Sequence, residues 1–467
     1  MKTLDREILR LALPSILANI TVPLVGLVDT AVAGHLHSAA GSSAEFIGGI
    51  SVGAMVLNVI YWNFAFLRAS TGGLTAQAFG RRDDTNSILR RALKLALGFA
   101  VAMVAMGWPI SRIALLFRDA TPNVAALAIQ YVLIRIWAAP ATLSLMALKG
   151  WFIGMQDTRS SMFADLTVNI VNIAASIILT LGIGNWQGLG FPGIALGTVI
   201  AQYSGLLLAL GICIFRYRIP VCSRKCPETG TNASNNGVLF RKTAENGNGF
   251  FHLNANLFVR SLCMTAIYFG YTIIASRYGE TMLACANIMM NLLMIFSYFT
   301  DGFAYAGEAL TGRFIGEGDG GMLRAAVRGT FRWSFGVAGI WIAIYLAAGV
   351  PMLHMMTDDP TVVDACRQFL PWLAVMPLIG CAAFTWDGIY IGATASKGIR
   401  DSMLWAVAAF FGLWLAGLAV LNWLLPAAAT GISPAAGIHL LMASYFAHLA
   451  ARAIHLTLRY RGSIIGK

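Results

Sequence analysis

The chain of 467 residues is 58% apolar and only 12% charged, with a mean hydropathy of +0.70. A soluble protein carries about twice that share of charge, so a soluble globular domain is excluded. The net charge of +12 would point to nucleic acid in a soluble chain, but here the basic residues follow a membrane topology.

Apolar segments of about 20 residues or more, enough to cross a bilayer, recur twelve times. They lie near 8–35, 46–78, 88–117, 123–155, 161–184, 192–215, 250–278, 282–314, 322–351, 361–393, 401–425 and 432–458. The predicted fold is an all-α polytopic membrane protein of twelve transmembrane helices. With the N-terminus inside, the outer segments hold only Arg112, Arg118, Arg277 and Arg367, and Arg68, Arg135 and Arg260 fall within spans. The remaining Lys and Arg, Lys149 and Arg452 among them, lie on the inner side, which puts both termini in the cytoplasm. The first apolar run lacks a small-residue cleavage pattern and reads as the first span rather than a signal peptide.

The first span carries one acid, Asp29. A carboxylate costs about 2.5–3.5 kcal/mol at the centre of a spanning helix, so it is kept only where the bundle interior or a wet cavity receives it. At helical spacing Asn19, Pro23, Gly26, Asp29 and Thr30 share an arc of about 120°. Pro23 frees the carbonyl of Asn19 on that same face. In the fifth span Asp165, Asn169, Asn172, Ser176 and Thr180 form a polar stripe about 80° wide, and the sixth adds Thr198 and Gln202 one turn apart. Together these could build a polar cavity around Asp29 as proton acceptor. The alternative is a permanent structural pair between Asp29 and Arg135 or Arg68.

The polar stretch 220–249 reads as a cytoplasmic linker between an N-terminal lobe, 1–219, and a C-terminal lobe, 250–467. The lobes repeat each other. TAQAFGRRD, from Thr75, matches TGRFIGEGD, from Thr311, and KGWFIGM, from Lys149, matches DGIYIGA, from Asp387. An even number of spans separates the copies. Parallel repeats of this kind predict two six-helix bundles around a central cavity. In the second bundle Asn287, Asn291, Tyr298, Asp301, Tyr305 and Glu308 share an arc of about 100° on span eight, and Asp387 lies on span ten with Tyr390 and Thr394 on its side. Acids with amide and hydroxyl oxygens suit a proton or Na⁺ site. The competing reading pairs Glu308 with Arg313 or Arg332.

Seven cysteines, Cys213, Cys222, Cys226, Cys263, Cys285, Cys366 and Cys381, show no framework spacing and read as unpaired. No phosphate-binding loop, H-E-x-x-H motif or Ser/His/Asp arrangement occurs, so neither an enzyme nor a metal site is expected.

Read in order, LANITVPLVGLVDTAVAGHL, FLRASTGGLTAQAFG, ANIMMNLL, TDGFAYAGEALTGRFIGEGD and WDGIYIGATASKGIRDSM resemble the multidrug and toxic compound extrusion (MATE) family, in particular its DinF-like branch. The resemblance implies a secondary antiporter of the bacterial inner membrane that exports cationic or amphipathic organic compounds against H⁺ or Na⁺, and the seventh helix, free of acids before Glu280, favours H⁺. The alternatives are Na⁺ coupling or a lipid-linked oligosaccharide flippase. The family's first-helix acid falls on Asp29 and its fifth-helix Asn on Asn172. The acid found four residues further on in many members is Ser176 here. Asp29, Asp301, Glu308 and Asp387 are the candidate coupling acids. Asn19, Pro23, Asn169, Asn172, Ser176, Thr198, Gln202, Asn287, Asn291 and Tyr298 are the candidate cavity residues. No cofactor, metal or nucleic acid is implied. Small organic compounds and membrane lipid are the expected partners, and a monomer is expected.

Overall fold

The computed structural model describes residues 2–36, 42–116, 121–218, 247–424 and 433–465. Most of the expected linker, with Cys222 and Cys226, lies outside the described residues, as does Arg118. In chain order the helices are α1 (Lys2–Gly34), α2 (Ser43–Asn63), α3 (Phe66–Arg81), α4 (Thr85–Ala105), α5 (Gly107–Arg112), α6 (Pro122–Arg135), α7 (Ala139–Gly154), α8 (Thr158–Leu181) and α9 (Phe191–Phe215). They continue as α10 (Gly247–Ser276), α11 (Glu280–Glu317), α12 (Gly320–Met356), α13 (Pro360–Arg367), α14 (Leu370–Gly392), α15 (Ser396–Leu424) and α16 (Pro434–Tyr460). The fold is all-α. Ten helical stretches among the described residues are long and apolar enough to span a membrane. The two other expected spans are α4, with Arg90, Arg91 and Lys94, and α16, with His439, His448, His455, Arg452 and Arg459.

Four expected spans are interrupted, one of them at Met106 between α4 and α5. Phe64 and Ala65 separate α2 from α3, a tight turn at Ile136–Ala138 separates α6 from α7, and Gln368 and Phe369 separate α13 from α14. Pro140 and Pro371 stand in the first turns of α7 and α14, where a missing N–H forfeits no helical bond. Other starts are capped. Ser42 and Glu45 form a reciprocal capping box at α2, and Glu45 also accepts from Asn123 at 3.1 Å. Asp157 caps α8 and accepts from Ser160 at 2.6 Å and from the Tyr217 hydroxyl at 2.7 Å, with Arg216 at 3.0 Å. Burial, then the bond to Asp157, pushes the Tyr217 hydroxyl above the ordinary phenol range.

The chain divides into two compact units. The first is Leu17–Ala255, and the second combines Met1–Ile16 with Asn256–Lys467. Chain order alone put 1–16 in the first lobe. These residues pack in the second unit because Asp5 meets Arg332 and the Trp333 indole, Glu7 meets Arg313 at 2.7 Å, and Gly302 makes room for Ala12 and Ile16. The core of the second unit includes Phe296, Tyr345, Phe410 and Tyr445. That of the first includes Phe46, Tyr131, Phe191 and, separately, Trp151 and Phe152. The five described cysteines, Cys213, Cys263, Cys285, Cys366 and Cys381, are free and buried.

The repeat is visible in the packing. In the first unit Gly150 and Gly154 of α7 lie against the Arg68 and Gly72 carbonyls of α3. In the second, the matching Gly388 and Gly392 of α14 lie against the Ala304 and Glu308 carbonyls of α11. A methyl group at any of the four would overlap backbone, so the small residue is what lets the helices meet. Gly388→Ala should therefore lower stability by about 1–3 kcal/mol through overpacking. Gly336→Ala, where nothing lies within 4 Å, should be neutral or gain up to about 1 kcal/mol. Thermal unfolding of the purified variants checks the contrast, and equal behaviour would contradict this account of the packing.

Candidate functional site

In the first unit, Asp29 is 7% exposed on α1, and its Oδ1 accepts a hydrogen bond from Ser176 Oγ of α8 at 3.0 Å. One turn earlier on α8, Asn172 Nδ2 donates to Thr198 Oγ1 of α9 at 3.0 Å. Asn172, Ser176, Thr180 and Thr198 are buried, so this face of α8 is sealed within the unit. Asn169 Nδ2 donates to Thr21 Oγ1 of α1 at 2.6 Å, which joins the same two helices at a second level. Gln202 and Asn19 are half-buried, and Pro23, Gly26 and Thr30 are exposed. The structure thus brings Asp29, Asn172, Ser176 and Thr198 into one cluster.

Asp165, also on the stripe, is bonded to Lys149 Nζ of α7 at 2.6 Å and so is committed to an ion pair. Lys149 itself, expected on the inner side, is part of α7.

The permanent pair between Asp29 and an arginine is not what forms. Arg135 Nη1 donates to the Tyr131 hydroxyl at 2.9 Å, and its guanidinium lies over that ring at 5.5 Å. It remains within electrostatic reach of Asp29. Tyr131, which also borders Thr198, was not a sequence candidate. The only signal for it is the one-turn spacing from Arg135, which many helices share by chance.

In the second unit Asp387 of α14 is held by two arginines. Arg260 Nη2 of α10 and Arg452 Nη2 of α16 both donate to its Oδ2, at 2.6 and 2.5 Å. The expected cation-coupling role of Asp387 does not fit this surrounding. A carboxylate already shared by two guanidinium groups has its charge more than met, and a cation there would face repulsion from both. Arg452, expected at the inner surface, is fully buried in the bundle.

Along α11, Asn287 and Asn291 are exposed, Tyr298, Asp301 and Tyr305 are half-buried, and Glu308 is fully buried. Glu308 sits in the stretch where α11 meets Gly392. The arginines offered as its partners are engaged elsewhere, Arg313 by Glu7 and Glu317 and Arg332 by Asp5. Tyr390 donates to the Leu456 carbonyl at 2.6 Å and so ties α14 to α16.

With both polar clusters located, the comparison with known proteins can be made. The MatE family model matches residues 14–178 and again 257–421. The chain belongs to the MatE family. That the same model matches twice is the internal repeat again. The chain is 34% identical over 408 residues to DNA damage-inducible protein F of Escherichia coli (strain K12), covering 87% of this chain and 84% of that one. It is 25% identical over 405 residues to Protein DETOXIFICATION 44, chloroplastic, of Arabidopsis thaliana, with 83% and 72% covered. Among solved structures, a MATE in the bent conformation superposes with a TM-score of 0.80 at 17% identity over 99% of this chain and 96% of that one. An outward-facing multidrug resistance MATE family transporter gives a TM-score of 0.76 at the same identity and coverage. The MatE chain therefore has the twelve-helix fold of these proteins, as an integral multi-pass membrane protein.

The two ion pairs inside this MatE chain should differ in weight. Asp387→Asn leaves two guanidinium groups without their counter-ion in a buried place and should cost about 3–5 kcal/mol. Lys149→Gln breaks the half-exposed pair with Asp165 and should cost about 1 kcal/mol or less. Denaturation of the two variants side by side measures the ranking.

Proposed function

We propose that this protein, as a member of a multidrug efflux family, is a secondary antiporter that exports cationic or amphipathic organic compounds in exchange for H⁺ by alternating access. The observation that carries the reading is Asp29. It is a buried carboxylate in a spanning helix whose hydrogen-bond partner is a neutral hydroxyl, Ser176, rather than a fixed positive charge. Such a group can exchange a proton without breaking an ion pair, and an ionisable group inside a span is functional by default. Asp387, clamped by Arg260 and Arg452, lacks that freedom. Weight therefore falls on the first unit. Asp301 and Glu308 remain as secondary coupling candidates in the second.

The cycle follows from the bonds. When ionised, Asp29 accepts from Ser176 and presents a negative charge to a cationic compound on the side of half-buried Gln202. Protonation removes the charge, turns one carboxyl oxygen into a donor, and so alters the bond to Ser176 and the set of α1 against α8. Pro23 supplies the place where α1 can bend, because its ring has no N–H to continue the helical ladder. Affinity for the cation falls and the compound leaves outside. The Lys and Arg distribution supports cytoplasmic termini, and the likeness to the Escherichia coli protein supports the inner membrane.

Exchange in liposomes loaded with a fluorescent organic cation tests this. An imposed pH gradient should drive efflux in the wild type, and Asp29→Asn should reduce it by about a hundredfold while the protein still folds. Full exchange in that variant, or exchange driven by a Na⁺ gradient alone, would overturn H⁺ coupling at Asp29. Movement of a lipid-linked oligosaccharide without export of the cation would reassign the chain as a flippase.

A further inference from the structure

The second unit holds a basic cluster that cation export does not use. Arg260, Arg452 and Asp387 come from α10, α16 and α14, and two guanidinium groups meet one carboxylate. Each contact is made by Nη2 alone and both fall on the same oxygen, Oδ2, so neither arginine forms the paired fork that guanidinium and carboxylate make when they match. Several donors are left over. Arg260 Nε and Arg452 Nε are buried and have no hydrogen-bond partner, and neither has Asp387 Oδ1. Arg452 Nη1 has only the Met264 thioether at 3.9 Å, a weak acceptor.

Arg452 is fully buried, so its orphaned donor is costly unless an acceptor oxygen can reach it. Arg260 has a side chain 19% exposed, which gives the cluster an accessible side. The surroundings are aromatic: the Arg452 guanidinium lies 5.9 Å from the Phe384 ring centre. Tyr268 lies within electrostatic reach of both Arg452 and Asp301.

We propose that Arg260 and Arg452 form a binding subsite for the carboxylate group of an amphipathic organic acid, with Asp387 as the internal carboxylate that occupies the arginines when no ligand is bound. An incoming carboxylate offers two coplanar oxygens to donors that Asp387 engages through one oxygen. The aromatic ring and the thioether receive the apolar body. The fate of the bound acid as an exported compound rests on the exporter reading above, while the binding itself rests on the guanidinium geometry.

The test is a binding titration of the full chain in nanodiscs of zwitterionic lipid. The probe is 1-pyrenebutyrate, its control is a trimethylammonium compound with the same pyrene body, and the readout is energy transfer from tryptophan. The carboxylate should bind, and Arg260→Gln should weaken it by about tenfold or more without weakening the cation. Arg260→Lys keeps the charge and loses the fork, and should fall between. Asp387→Asn removes the internal competitor, so it should bind the carboxylate more tightly than wild type. Its lowered melting temperature should rise on adding formate, a shift the wild type does not show.

Unchanged carboxylate binding in Arg260→Gln, or weaker binding in Asp387→Asn with no rescue by formate, overturns the proposal. Displacement of the probe by inorganic phosphate as readily as by formate overturns the carboxylate assignment. The titration uses no gradient, so failure of pH-driven exchange in liposomes would leave the result standing.

Discussion

The interior of this protein is governed by the cost of holding ionised groups away from water. An unpaired charge in a bilayer-spanning bundle is expensive, and each unit meets that cost in its own way. In the first, Asp29 is supported by a hydroxyl, and the nearby arginine is held on a tyrosine. In the second, one carboxylate serves two arginines. The first arrangement leaves a carboxyl whose charge can change at modest cost. The second leaves two buried guanidinium donors and one carboxylate oxygen without partners. Two halves built on one sequence pattern have thus become chemically unlike. The divergence reaches equivalent positions: Lys149 and Asp387 match in the repeat, and each finds a partner of opposite sign.

Much of the architecture was legible in the sequence because bilayer thickness and backbone satisfaction allow few solutions. Long apolar runs could only be helices, and their ends could be placed to within a few residues. The Asp29 cluster was also legible, since helical spacing puts Asn172 and Ser176 on one face of α8. What the sequence obscured was partnership. The counter-ions of Asp387 lie 127 and 65 residues away along the chain, and no local periodicity connects them. Arg452 looked like part of the basic inner margin because counting Lys and Arg treats any such residue near a span end as solvated. Ser176 looked like a lost acid, yet it is the residue that bonds to Asp29. The interruptions in four spans were hidden for another reason, since hydropathy continues through a break in the helix.

Shared fold and shared chemistry are separate matters in this family. The solved neighbours superpose over almost the whole chain at 17% identity, a level at which backbone course is retained and side chains are largely replaced. The features discussed here depend on a handful of side chains. Fold supplies the bundle, and the identity of a few polar residues inside it decides what the bundle can hold.

The glycines where α7 meets α3 and α14 meets α11 carry a mechanical consequence. Helices separated by side chains can slide, because the intervening layer can change rotamers. Helices whose backbones touch have no such layer. Each of these helix pairs is in effect a single stiff beam, and the carbonyls of one helix act as stops for the other. Any motion that carries a compound across the membrane must leave both beams unsheared and find its compliance in helices packed through larger side chains.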